Sequence, residues 1–174
     1  NVIGYVAVTQ AVLPLLRITK GRIVNIGSVN GALSPPYMGP YSASKFAMEA
    51  IADALRIELR TWGIKVSIIE PGPIATPIWE KSFAAADQLA NALPSESMAL
   101  YEPDLTIVRK MIVKIANKAE PVDMVVRAVI HALTASKPKT RYFLHYGNRF
   151  LFHGFKLVPD VIRDWIVRRV MGLP

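Results

Sequence analysis

Two short β-branched runs, Arg22 to Ile26 and Lys65 to Ile69, each end in a glycine-containing loop, and a helix-patterned stretch from Tyr41 to Trp62 lies between them. Brief apolar runs bounded by glycine are how strands covered on both faces read. Two such strands joined through a loop and a helix make one right-handed crossover. An apolar helical stretch, Asn1 to Leu16, precedes the first run, so the order is helix, strand, loop, helix, strand, loop. That alternation argues for an open parallel α/β sheet. Ligands of such sheets bind beyond the carboxyl ends of the strands, which brings Gly27-Ser28 and Pro71-Gly72 to one rim.

The remaining pattern is helical with one further strand. Asn1 to Leu16 is apolar almost all round, as in a helix buried on two sides, and Lys20-Gly21 supplies a stop. In the Tyr41 to Trp62 helix, Phe46, Ile51, Ala54, Leu55 and Leu59 fall on one side, and Gly63 provides a left-handed cap. Residues 77–120 are helical in character and too long for a simple connection, so they read as an inserted lid or substrate-binding subregion. A helix from Pro121 to Ala135, a last strand from Thr140 to Tyr146 and a helical stretch from Val158 to Met171 follow.

Composition removes several classes of function. There is no cysteine, which excludes disulfides, thiolate catalysis and cysteine-bound metals. His131, His145 and His153 make no spaced ligand set, so no metal is expected. The charge of +8 is scattered, without the basic runs or stacking motifs of a nucleic-acid binder. Charged residues interrupt every apolar stretch before membrane-span length. With Asn1 first and no signal-like segment, the chain reads as starting mid-protein, and a cytoplasmic location is expected.

Tyr41 and Lys45 are four residues apart at the start of a helix, so their side chains share a face. A phenol, with an ordinary pKa of about 10, is a poor acid or base at neutral pH; a fixed ammonium beside it favours the phenolate. Tyr41 can then exchange a proton with an alcohol or ketone oxygen. The Ser28 hydroxyl, at the end of the preceding strand, can donate to the same oxygen as charge builds on it. The Tyr-x-x-x-Lys spacing alone is common in helices. Its weight comes from context: Ser28 follows the strand Arg22 to Ile26, a Gly/Pro loop precedes Tyr41, and Glu70-Pro71-Gly72-Pro73-Ile74-Ala75-Thr76 closes the next strand.

On these residues, from Asn1 to about Ala135, the chain resembles the short-chain dehydrogenase/reductase family, and within it the members acting on retinol, steroids and hydroxybutyrate-type substrates. The resemblance implies a Rossmann-like, doubly wound parallel sheet, incomplete because its first strands and the G-x-G-x-x-G fingerprint are not in the sequence. It implies that residues 1–148 are the carboxyl-terminal part of an NAD(P)-binding domain and that 149–174 form an amphipathic helical tail. It further implies that Ser28 polarises the substrate oxygen, Tyr41 is the general acid/base, and Lys45 tunes Tyr41 and holds the nicotinamide ribose. Asn1, by spacing, matches an asparagine whose backbone helps hold a relay water. Pro71, Gly72, Ile74 and Thr76 match the loop that holds the cofactor, NAD or NADP.

Flanking positions Asn30 and Met38, and Trp79 in the helical insertion, are candidate substrate contacts together with Ser28. The expected substrate is a lipophilic alcohol or ketone. The family's subunit contacts imply a homo-oligomer through the helices at Val2 to Leu16 and Tyr41 to Trp62. The tail, with Phe150, Phe152, Phe155, Trp165 and several arginines, suits peripheral membrane contact as well as packing on its own domain or a partner subunit. Two other readings share part of the pattern: a non-catalytic nucleotide-binding relative and a nucleotide-sugar epimerase or dehydratase. This chain alone is expected to expose an apolar sheet edge and to be inactive.

Overall fold

The computed structural model describes residues 1–144 and 154–173. The expected end of the last strand, His145 and Tyr146, and the start of the tail, Arg149 to Phe152, lie outside the described residues. Among the described residues three strands are present, β1 (Arg22–Ile26), β2 (Lys65–Pro71) and β3 (Arg141–Leu144), all parallel and in the order β1-β2-β3. The described helices are α1 (Ile3–Thr19), α2 (Gly39–Glu58), α3 (Ile78–Ala92), α4 (Ser95–Ala116), α5 (Asp123–Thr134) and α6 (Asp160–Met171). They divide between two compact units, the first made of Asn1–Gly72 with Asp123–Leu157 and the second of Pro73–Val122 with Val158–Pro174.

The sheet of the first unit is covered on both faces. Neighbouring residues of a strand point to opposite sides, and β2 is buried continuously from Val66 to Glu70 because each side has a core of its own. Ile68 packs with Ile23, Ala52, Leu59, Ile64 and Val66, backed by Leu13, Leu16 and Leu55 from α1 and α2. Ile69 faces the other way, onto Ala128 and Ala132 of α5 and Tyr142 of β3. Burying each of these isoleucines contributes about 1.5–3 kcal/mol. The doubly wound arrangement expected from the helix-strand alternation is therefore present, with α1 and α2 on one face and α5 on the other.

Several boundaries differ from the sequence expectation for physical reasons. The left-handed residue that ends α1 is Lys20, at φ 50°, and its N–H bonds to the Leu16 carbonyl. Gly21 serves close packing, since a Cβ there would fall 2.5 Å from Leu16 Cδ2. Two-sided burial of α1 is not observed: Ile3, Val8, Leu15 and Ile18 are exposed, and Leu13 and Leu16 carry the packing. Helix α2 starts at Gly39, before Tyr41, because Pro40 in its first turn has no N–H to leave unbonded. The stripe of α2 that packs is Met48, Ala52 and Leu55, while Phe46 and Ala54 are exposed. Ser42 and Ala52 are small enough to bring the helix close to the sheet. Past Glu58 the helix tightens into a 3-10 turn, Leu59–Trp62, which ends at Gly63 with φ 71°.

In the second unit, α3 and α4 occupy most of the helical insertion, and a forked pair between Arg109 and Asp87 links them, with Nη2 to Oδ2 at 3.1 Å. Helix α6 packs beside α4, and its C-terminal Gly172 faces Ile107.

Candidate active site

At the carboxyl end of β1 the chain leaves the sheet through Gly27, whose N–H bonds to the Ile69 carbonyl at 2.7 Å. Ser28 is next, extended and only 8% exposed, and its hydroxyl accepts a hydrogen bond from the Asn30 N–H at 3.2 Å. The short turn Val29–Gly31 then folds onto α2. A Cβ on Gly31 would lie 2.9 Å from Glu49 Cγ and 3.2 Å from the Lys45 carbonyl, so glycine is what allows this approach. Asn30, a candidate substrate contact, thus has a defined part through its backbone: it orients the Ser28 hydroxyl.

Between this turn and α2 stands Tyr37 at φ 64°, a left-handed conformation uncommon for a non-glycine residue. Met38 precedes the helix, and its carbonyl accepts the Ser42 N–H at 2.8 Å. Tyr41 is 39% exposed, and the Lys45 ammonium lies 5.7 Å from its ring centroid. Lys45 Nζ also donates to the Ile26 carbonyl at 3.1 Å, two residues before Ser28, with a weak contact to Met48 Sδ at 3.8 Å. Burial lowers the Lys45 pKa below its ordinary value. The Asn1 amide donates to Ser44 Oγ at 3.0 Å, and Ser44 donates to the Tyr41 carbonyl at 2.7 Å. Asn1, Ser28, Asn30, Met38, Tyr41 and Lys45 all belong to the first unit, where Asn1 is linked to Tyr41 through Ser44, Ser28 to Asn30, and Lys45 to the strand end at Ile26.

The expected cofactor loop divides between the two units. Pro71 ends β2 opposite Leu144, and Gly72 continues the ladder by donating to the Leu144 carbonyl at 2.9 Å. In the second unit, Ile74 is bridged to Glu120, with Ala75 N–H bonded to the Glu120 carbonyl at 2.8 Å and Glu120 N–H to the Pro73 carbonyl at 2.9 Å. Trp79 Nε1 donates to the Ile74 carbonyl at 2.8 Å, so the indole holds this loop. Thr76 is exposed.

The first unit also contains a cluster that the sequence reading did not single out. Arg141, the first residue of β3, donates from Nε to Glu49 Oε2 at 3.1 Å and from Nη2 to Asp53 Oδ2 at 2.7 Å, and Nε lies 3.5 Å from Glu70 Oε1. Asp53 also pairs with Arg56. Glu70 is 1% exposed. Burial, then the charge of Glu70, raises the Glu49 pKa to about 7 against the opposing pull of Arg141. The visible hint was Glu70, a charged residue directly after the apolar pair Ile68-Ile69.

Whether these residues fit a nicotinamide nucleotide can be judged from the donors. An ammonium has three N–H groups. Lys45 directs one at Ile26 and one weakly at Met48, leaving a donor beside Tyr41 for a ribose hydroxyl. The nicotinamide-ribose half fits the first unit in this respect.

Residues 1–87 match the family described as short chain dehydrogenase. The chain is 36% identical to the NADPH-dependent 3-dehydrocapnine reductase of Ornithobacterium rhinotracheale, over 95% of this chain and 58% of that protein. It is 33% identical to 17-beta-hydroxysteroid dehydrogenase type 6 of Bos taurus, over 100% of this chain and 56% of that protein. Among solved structures, a short-chain dehydrogenase from Streptomyces avermitilis superposes with a TM-score of 0.62 at 25% identity, covering 96% of this chain and 56% of that one. The chain thus spans about half the length of the curated relatives it matches.

Proposed function

Because the chain belongs to the short-chain dehydrogenase family, we propose that it carries the proton-transfer machinery of an oxidoreductase that interconverts an alcohol and a carbonyl with NAD or NADP. The observation that carries this reading is the link from Lys45 to the end of β1: its ammonium bonds Ile26 and lies 5.7 Å from the Tyr41 ring, while Ser28 follows on the same strand end. A charge, a phenol and a hydroxyl are thereby held by one strand and one helix.

Tyr41 is the proton donor and acceptor at the substrate oxygen. Ser28, oriented by the Asn30 N–H, donates to that oxygen as negative charge develops on it. Lys45 holds positive charge beside the phenol and offers a further N–H to the nicotinamide ribose. Asn1, through Ser44, braces the first turn of α2, where Tyr41 lies. The nicotinamide cofactor, when bound, supplies or accepts the hydride. Pro71, Gly72, Ile74 and Thr76 form the loop that holds it.

The substrate is a lipophilic alcohol or ketone, steroid-, retinoid- or hydroxy-acid-like, approached through Asn30, Met38 and Trp79, with residues 77–120 as its lid. The name of the steroid dehydrogenase supports this substrate class, and that of the NADPH-dependent reductase supports NADP as a cofactor. Subunits meet through α1 and α2, which flank a groove of about 600 Å³ lined by Val6, Leu13, Ile51, Leu55 and Trp62. Tail helix α6 is proposed to touch a membrane surface, because Val161 and Trp165 are exposed beside Arg168 and Arg169.

The decisive variant is Tyr41→Phe in the complete protein. Turnover is expected to be abolished, while binding of NADH or NADPH, followed by nicotinamide fluorescence, survives. Retained turnover removes Tyr41 from its role. Cofactor binding by the unaltered protein with no turnover on any alcohol or ketone would favour the non-catalytic reading.

A further inference from the structure

Buried Glu70 and the partly buried Glu49 and Arg141 touch three separate parts of the proposed machinery. Glu49 is one turn beyond Lys45 on α2. Its side chain also supports the loop that carries Ser28: a Cβ on Gly27 would lie 3.2 Å from Glu49 Oε1, and one on Gly31 would lie 2.9 Å from Glu49 Cγ. Both flanks of Ser28 therefore rest against one carboxylate side chain. Arg141 then connects Glu49 to β3 and to Glu70, the residue that precedes Pro71 and Gly72.

We propose that Glu49 and Arg141 are positioning residues: with Glu70 they form a partly buried ionic cluster that holds the Ser28 loop, the Lys45 turn of α2 and the strand end leading to Pro71-Gly72 in one frame. The proposal rests on the reading of Ser28, Tyr41 and Lys45 as the reacting set. Stability alone gives no reason for such a cluster, since apolar residues of similar volume are often as stable as a buried ion pair or more so. An ionic cluster adds direction. Arg141 has planar, forked donors, and its carboxylate partners lie on two different elements, so α2 cannot shift along the sheet without breaking a bond.

The cluster is also proton-sensitive. The titratable groups acting on Glu49 are Asp53 on its own helix, Glu70 on β2 and Arg141 on β3; the Gly27–Gly31 loop contributes no titratable group. Arg141 has three carboxylates around it, and the pKa of Glu49 is raised to about 7 by burial and the Glu70 charge.

The test uses Glu49→Gln in the complete protein, a change that keeps shape and removes charge. We expect kcat to fall by about tenfold, in line with the cost of slight misplacement of reacting groups. KM and the fluorescence-measured affinity for NADH or NADPH should change by less than about threefold, and the kcat profile should lose an ionisation near neutrality. If this variant does not fold, as read by thermal melting, Arg141→Lys decides, with the same kcat-selective loss expected. A folded variant with the kcat and pH profile of the unaltered protein overturns the proposal. Tyr41→Phe separates the two levels. If Tyr41→Phe is inactive while Glu49→Gln and Arg141→Lys behave like the unaltered protein, the positioning role fails and the catalytic reading stands; if Tyr41→Phe turns over, the catalytic reading itself fails.

Discussion

Glu49 couples folding to pH in a direction opposite to that of an ordinary surface carboxylate. Burial and the Glu70 charge raise its pKa from 4.5 to about 7 in the folded chain. Between those values the folded state holds a proton that the unfolded state has released. Its contribution is therefore favourable on the acid side and is lost as pH rises through that window. Asp53 acts the other way: burial opposes its ionisation, but hydrogen bonds from Arg141 and Arg56 hold its pKa below the ordinary 3.8, so its contribution is lost only in stronger acid. The urea midpoint should decline as pH rises from about 4.5 to about 7, and Glu49→Gln should flatten that decline. Equal slopes in both proteins would show that another group is responsible. At this scale the sequence was partly readable. Ser28, Tyr41 and Lys45 are tied to local patterns, a strand end and a helix turn. The bond from Arg141 to Glu49 crosses 92 positions and depends on strand order, which no local pattern encodes.

Among the elements, the turn Val29–Gly31 shows how a strand end becomes a site. Its approach to α2 requires the absence of a side chain at Gly31. Gly31→Ala should destabilise the fold by about 1–3 kcal/mol, because the new methyl meets Glu49 Cγ and backbone together. Thermal melting measures this, and an unchanged midpoint would mean that the loop can relax. Strands and helices were legible in outline because period and glycine punctuation mark them. The faces were less so: Phe46 and Ala54 looked like core residues of α2, yet the helix lies on Met48, Ala52 and Leu55. The side a helix buries depends on the neighbour it meets, and hydrophobicity along one segment does not specify that neighbour.

At the scale of the whole molecule, exposed apolar surface is concentrated on helices. Ile3, Val8, Leu15 and Ile18 lie open on α1, and Val161, Trp165 and Val170 on α6. No helix among the described residues is long and apolar enough to cross a membrane, so contact through α6 would be peripheral. Flotation of the complete protein with vesicles containing anionic lipid checks this: Val161→Glu with Trp165→Glu should reduce the bound fraction, whereas equal flotation would end the idea.

The pairing of β2 with β3 has a consequence for how the molecule assembles and diversifies. Arg22 aligns with Lys65 across a single crossover, but Ile68 aligns with Arg141 only after the chain has passed through α3, α4 and α5. The second pairing closes the longer loop, so β1 and β2 are expected to meet first and β3 to dock late. Closure entropy grows slowly, at about 0.6 kcal/mol for each doubling of loop length. Segments between Gly72 and Asp123 can therefore lengthen, shorten or be exchanged at little expense to the sheet, and the reacting frame can be inherited unchanged while the region proposed to choose the substrate evolves.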